Sequence, residues 1–297
     1  MRVFVTGASG FIGSAVVTEL IEAGHDVIGL ARSDSSARAV EAAGAQVHRG
    51  DLDDVDSLRA GAQTADGVIH LAFNHDFTDF SGAAETDRRA IDALGGVLAG
   101  SDRPFVVTSG LAGFALGRTM TEDDAADPNS PRASEHAALT FTQRSVRVSV
   151  LRLPPSVHGE GDHGFVPRLI DIARDKGVAG YPGDGSNRWP AVHRFDAARL
   201  FRLALESAPA GARLHAIGDE GVPVRDIAGV IGRHLDLPVT AVAPEQAVDH
   251  FGWLGVFFSL DVPASSAQTR DLMGWRPTRL GLLDDLEQGH YFSSRAA

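Results

Sequence analysis

The chain has 297 residues, 43% hydrophobic and 22% charged, a composition that excludes a disordered protein and allows a sizeable core. That length is about twice an ordinary domain, so one large α/β unit or two closely joined lobes are expected. The absence of cysteine excludes disulfides, thiolate zinc sites, iron–sulfur ligation and cysteine nucleophiles, and 39 acids against 27 bases (formal charge −12) disfavour nucleic acid and anionic membrane as partners.

In chain order, Arg2–Thr6 reads as a strand, and the turn Gly7–Gly13 leads into a helix over Ser14–Ala23 that Gly24 closes. Asp26–Ala31 is the next strand, Ser35–Ala43 a helix and Gln46–Arg49 a third strand running into Gly50-Asp51-Leu52. Val55–Ala62 is helical, Gly67–Ala72 a fourth strand, Asp87–Gly96 part of a longer helix and Pro104–Ser109 a fifth strand. Ala133–Ser145 is helical and Arg147–Leu153 a strand of strict alternation. Strands alternating with helices predict a mostly parallel sheet covered on both faces, a doubly wound α/β architecture with its ligand site at the carboxyl ends of the strands.

The second half is less regular. Pro154–Gly164 reads as a loop, Phe165–Arg174 as a helix, Gly177–Arg188 as a turn-rich stretch, Asp196–Glu206 as a helix, Leu214–Ile217 as a strand and Val224–Arg233 as a helix. Residues 1–153 are expected to be mainly a dinucleotide-binding domain and 154–297 mainly a substrate lobe, with 191–217 returning to the first. No apolar run approaches the ~18 residues of a membrane span, and the opening Arg2-Val3-Phe4 has no signal-peptide layout, so a cytoplasmic protein is expected.

Gly7, Gly10 and Gly13 stand between a strand and a helix. The first permits the tight turn, the second brings backbone close to a pyrophosphate, and the third lets the helix pack on the sheet. With Ser9, Phe11 and Ile12 they form the expected dinucleotide cradle, the helix N-terminus offering N–H groups to the anion. At the tip of the second strand, Arg32 and Ser33 replace the acid that usually bonds the ribose of NAD, so NADP(H) is expected in preference to NAD(H). Asp51 and Leu52 are placed to meet the adenine, Asp51 serving alternatively as a helix cap. The remaining cofactor candidates lie at strand ends: Leu71, Ala72, Phe73, Thr108 and Pro154.

Thr6-Gly-Ala-Ser-Gly-Phe-Ile-Gly13, Gly50-Asp-Leu52, His70-Leu-Ala72, Val106-Val-Thr-Ser109, Leu151-Arg-Leu-Pro154, Val192-His193 with Asp196-Ala-Ala198, and Leu272-Met-Gly-Trp-Arg-Pro277 together resemble the short-chain dehydrogenase/reductase superfamily in its extended, epimerase/dehydratase-like branch. The resemblance covers nearly the whole chain and implies a Rossmann fold with a smaller, non-contiguous C-terminal lobe. It also implies a possible homodimer through two helices of the cofactor lobe, and an active site of a tyrosine, a lysine four residues later and a hydroxyl after the fifth strand. This chain lacks that pair: its two tyrosines, Tyr181 and Tyr291, are followed four residues on by Gly185 and Arg295, and its one lysine is Lys176. On the helix that would carry the pair, either Pro131 and Glu135 or Arg132 and His136 occupy the two places, and Gly110 stands where the active hydroxyl is usual, with Ser109 one residue early.

Ser109, Arg132 and His136 are therefore the catalytic candidates, as hydrogen-bond donor, charge compensator and near-neutral proton donor. Each also has a structural reading: a strand-end cap, a surface partner of Glu135 or Asp127, and an ordinary helix residue. His75, His158 and Trp189 are candidate substrate contacts. The loop spacing of His158, Glu160, Asp162 and His163 matches no metal template, so no metal is expected. The expected function is an NADP(H)-dependent oxidoreductase reducing the carbonyl or imine of a small to medium apolar molecule. A non-catalytic NADP(H)-binding sensor or regulatory protein and a nucleotide-sugar epimerase/dehydratase are the alternatives.

Overall fold

The computed structural model describes residues 1–74, 79–111, 117–127 and 133–293. Seven parallel strands form the main sheet: β1 (Arg2–Thr6), β2 (Asp26–Ala31), β3 (Gln46–Arg49), β4 (Gly67–His70), β5 (Pro104–Gly110), β6 (Arg147–Leu153) and, after two excursions, β10 (Ala212–His215). Their spatial order is β10-β6-β5-β4-β1-β2-β3. The order reverses between β1 and β4, which opens a crevice at their carboxyl ends, where a doubly wound sheet binds its ligand.

Alternation divides the sheet's side chains between two cores. Val3, Val5, Ile69, Val106 and Leu151 face α1 (Phe11–Glu22) and α7 (Arg194–Ser207), whereas Phe4, Val68, Phe105, Val107 and Val150 face α3 (Val55–Gln63), α4 (Phe80–Leu98) and α5 (Ser134–Leu139). Helix α2 (Asp34–Ala42) joins β2 to β3 and packs Val40 into the first of these cores. Two departures from the predicted elements have visible causes. Strand β4 stops at His70, before Ala72, because the Leu71 and Ala72 N–H groups turn to the Thr6 hydroxyl oxygen, each at 3.2 Å. The expected long helix over Ala133–Ser145 breaks after Leu139 into a 3₁₀ turn, where Thr140 and Thr142 hydroxyls donate to the Ala137 and Leu139 carbonyls and Ser145 closes it in the left-handed region.

The second lobe holds a three-stranded sheet of β7 (Ser156–His158), β9 (Arg188–His193) and β11 (Asp219–Pro223), and a two-stranded one of β8 (Ala179–Pro182) and β12 (Val239–Val242). Around them pack α6 (Phe165–Lys176), α8 (Val224–Leu235), α9 (Ala247–Phe251), α10 (Leu254–Phe258), α11 (Ala267–Met273) and α12 (Leu282–Glu287). Chain crossing ties the lobes: β9 lies in the second lobe, α7 covers the main sheet, and β10 extends it. Asp196 at the start of α7 accepts the Thr278 and Arg279 N–H groups, and its carbonyl accepts the Trp275 indole N–H at 3.0 Å, which accounts for the Leu272–Pro277 motif. No helix of the described residues is long and apolar enough to cross a membrane.

Trp189 is fully enclosed in the second lobe's core, between Phe165 and Phe258, its indole N–H donating to the Phe257 carbonyl at 3.2 Å. Its expected place lining a substrate pocket is thus corrected: the alternation of β9 turns it inward. Trp189→Ala should lower unfolding stability by ~3–5 kcal/mol in urea titration, as large aromatic truncations in cores do.

Candidate functional site

The crevice is built from the glycine turn. Gly7 adopts φ +70°, and a Cβ there would meet the Ala72 nitrogen at 2.8 Å; one on Gly13 would meet the Gly7 carbonyl oxygen at 2.0 Å. The first glycine thus permits the end of β4 to lie against the turn, and the third permits α1 to start directly above it. The Gly10 N–H donates to the Gly7 carbonyl at 3.0 Å and leaves the first turn of α1 facing the crevice, with no side chain capping it. This cradle, open where a side chain would close it, fits a dinucleotide pyrophosphate. Ser9 and Gly10 are exposed and Phe11, Ile12, Leu71, Ala72 and Phe73 half-buried around it; Pro154 is buried just past β6.

Beneath the cradle runs a buried polar chain. The Thr6 hydroxyl, whose oxygen accepts the two N–H groups from the end of β4, lies 2.8 Å from His70 Nδ1, and His70 Nε2 lies 3.1 Å from Asp87. The consistent assignment has Thr6 donating to Nδ1 and Nε2–H donating to the carboxylate. Ser134, on α5, donates to the other Asp87 oxygen. These four residues lie on four different elements, so the buried chain fixes β1, β4, α4 and α5 relative to one another at the crevice floor.

Glu135, one of the two residues that could stand at the place of the family's lysine, turns inward beneath the sheet. Its carboxylate forms a two-pronged pair with Arg152 of β6, at 2.7 Å to each oxygen, and accepts a further bond from Arg213 of β10. Arg152 is fully buried and also bonds His215 and the Asp124 carbonyl. Burial pushes the Glu135 carboxyl up, but the two guanidinium partners outweigh it, and the group sits below the ordinary carboxylate range. His136, beside it, is exposed, while Ser134, Glu135, Ala137 and Ala138 face inward. Arg132 and His75 lie outside the described residues. Thr108 and Ser109 end β5 on opposite faces, Thr108 Oγ1 being buried with no partner among the described residues.

His158 is fully buried and does not face the crevice; its Nδ1 bonds Asp285 of α12 at 2.8 Å. This corrects its expected substrate contact, because β7 directs the ring inward against His193. His193 caps α7 by accepting the Phe195 N–H, and burial together with the neighbouring His158 brings its pKa down to about 4, so it is neutral at pH 7. The loop after His158 is pinned by Tyr291: its hydroxyl accepts the Gly159 N–H and donates to Asp162, both at 3.0 Å. Burial and the adjacent Asp162 push the Tyr291 phenol up, which keeps it protonated. Sequence reasoning missed this cluster, whose one signal was an acid, Asp285, far along the chain. Among the described residues no group of three His, Asp or Glu side chains converges as a metal site would require. An open, polar cavity of about 610 Å³ lies at the other end of β9, with Arg188 bonded to Asp261 on its wall.

At the tip of β2, Ser33 caps α2: its hydroxyl accepts the Ser36 N–H, and the Ser36 hydroxyl answers the Ser33 N–H. Asp34 stands beside it, paired with Arg49 at 2.7 Å, and Arg32 is exposed. Asp51 is half-buried, one carboxylate oxygen accepting the Asp53 N–H, with Leu52 packed on the α3–α4 core.

Comparison with known proteins adds three findings. Residues 3–217 match the NAD dependent epimerase/dehydratase family. An uncharacterised protein of Schizosaccharomyces pombe is 50% identical over 98% of this chain and 100% of its own, and a UDP-glucose 4-epimerase of Streptomyces lividans is 24% identical over 97% and 96%. Among solved structures, DesIV, a dTDP-glucose 4,6-dehydratase from Streptomyces venezuelae with NAD and TYD bound, superposes with a TM-score of 0.78 at 23% identity, over 99% of this chain and 98% of that one.

Two expectations are corrected. The preference for NADP(H) fails: NAD is the nucleotide in the matched dehydratase, and the Ser33 hydroxyl, expected to meet a 2′-phosphate, is engaged in the helix cap. Reduction of an apolar carbonyl compound by NADP(H) fails with it: the UDP-glucose 4-epimerase matches over nearly its full length, and Trp189, the expected aromatic substrate contact, is sealed in the core.

Two predictions follow from the geometry. Gly13→Ala should abolish NADH binding in a fluorescence titration, since its methyl group would collide with backbone. Glu135→Gln should cost ~3–5 kcal/mol at pH 7 by stranding Arg152. Because the native Glu135 pKa is lowered, its contribution is complete above the unfolded carboxyl pKa and is lost as pH falls through the native value, so the variant's deficit should shrink in acid urea titrations.

Proposed function

The chain belongs to the NAD dependent epimerase/dehydratase family, and from that premise we propose that it is an NAD(H)-dependent enzyme acting on the sugar of a nucleotide sugar. The observation that carries the reading is the cradle at Gly7, Gly10 and Gly13, too tight at two of the three positions for any side chain and open toward the crevice. Bound NAD supplies a hydride acceptor that returns the hydride later in the cycle.

The chain's own groups bind, orient and move a proton. The backbone of Gly10, Phe11 and Ile12 holds the pyrophosphate, and Leu71 and Ala72 border the nicotinamide half. Ser109 donates to the sugar oxygen being oxidised and Arg132 compensates its developing charge. His136, on the α5 helix, takes the proton that the missing tyrosine would have taken.

The test is a paired titration with NADH and NADPH, followed by incubation of the NAD-loaded protein with UDP-hexoses. NADH should bind at least as tightly as NADPH, and the UDP-sugar should be converted with no net change in NADH absorbance. Ser109→Ala should lower turnover about 10²-fold with NADH affinity unchanged. NADPH binding tenfold tighter would overturn the cofactor assignment, and firm NADH binding without conversion of any UDP- or dTDP-sugar would overturn the substrate class.

A further inference from the structure

α1 and α7 lie side by side and parallel. Their matched ion pairs mark the register: Arg202 to Glu19 at 2.7 Å, and Glu206 to His25 at 3.0 Å. Both helices therefore begin at the same level, above the carboxyl ends of the strands, where Phe11 opens α1 and Arg194 opens α7. These helices are 12 and 14 residues long, and each presents the positive end of its dipole there.

A cation in the first turn of a helix is unfavourably placed, yet Arg194 occupies that turn. Its guanidinium lies over the rings of Phe11, at 5.0 Å, and Phe195, at 4.7 Å. Its Nε is buried without a partner, and no carboxylate pairs with it among the described residues. Arg194 belongs to none of the ion pairs among the described residues, so its guanidinium, at two helix N-termini, is available to an anion from elsewhere.

We propose that Arg194, at the junction of β9 and α7, is the cation that meets the dinucleotide pyrophosphate beside the glycine turn. The inference rests on the dinucleotide reading above and extends it to a residue far along the chain from the glycine turn. Phe11 supplies the connection: its backbone faces the phosphates and its ring carries the guanidinium. The loop carrying Gly159, Gly161 and His163 backs this arrangement. A Cβ on Gly159 would lie 3.4 Å from Arg194 Cγ, and the His163 ring meets Phe11 edge-on at 5.8 Å. Tyr291 and Asp285 hold that loop through Asp162 and His158, so the C-terminal segment positions the grip without touching the nucleotide.

Wild type, Arg194→Gln and Arg194→Lys should be titrated with NADH, ADP-ribose and adenosine at several salt concentrations, with thermal melts confirming folding. In Arg194→Gln, NADH and ADP-ribose should bind about tenfold more weakly, adenosine should bind as before, and the salt dependence of NADH binding should flatten. Arg194→Lys should recover part of the loss, since charge returns without the planar stacking. Unchanged NADH and ADP-ribose affinity in a folded Arg194→Gln protein would overturn this inference alone, and so would an equal loss for adenosine. Absence of NADH and ADP-ribose binding by wild type would overturn the dinucleotide reading and this inference with it.

Discussion

The close approach of the β1–α1 turn to the end of β4 is the constraint on which the crevice depends. Gly7 lies against the Ala72 backbone with no room for a methyl group, and Gly13 brings the first turn of α1 onto the Gly7 carbonyl. Thr6 stitches the same two strand ends together through one hydroxyl, and His70 and Asp87 carry that bonding outward to α4. A buried chain of this kind is stable only when each member is satisfied, so it holds the floor of the crevice rigidly in one arrangement.

Around that retained floor, the wall on the α5 side has been rebuilt. On the helix where this branch is expected to carry its tyrosine and lysine, Glu135 points under the sheet and is enclosed by Arg152 and Arg213. A buried pair of this kind adds little over well-packed apolar residues, but losing one partner is costly, because the other charge then stays unpaired. Glu135 therefore serves as a structural joint between α5, β6 and β10. Proton handling falls to whatever else the crevice presents.

The second lobe contributes more than a substrate surface. Its strands and C-terminal segment converge on the loop after His158, where Asp285, Tyr291 and Asp162 bond across more than a hundred residues of sequence. That loop and the start of α7 lie against Phe11 at the start of α1. Two helix N-termini and an arginine stand there, a positive locus in a protein of formal charge −12. Local field, not net charge, governs anion binding at that point.

The sequence by itself determined the main sheet and the nucleotide turn. Strands β1, β2, β3 and β6 have the predicted bounds, because alternation and β-branched runs are local signals, and the spacing of Gly7, Gly10 and Gly13 encodes a backbone requirement that sequence states directly. It also determined the absence of a Tyr-x-x-x-Lys pair, which is a matter of counting. The tertiary structure alone decided the rest. Strands β7, β8, β9, β11 and β12 are short and their patterns weak, so they form only because the lobe's core orders them. Trp189 and His158 are ordinary site residues by type, and their burial follows from which way a strand faces. Ser33 became a cap and Glu135 a buried partner through atoms supplied by other elements. The parallel packing of α1 against α7 is what sets Arg194 beside the glycine turn.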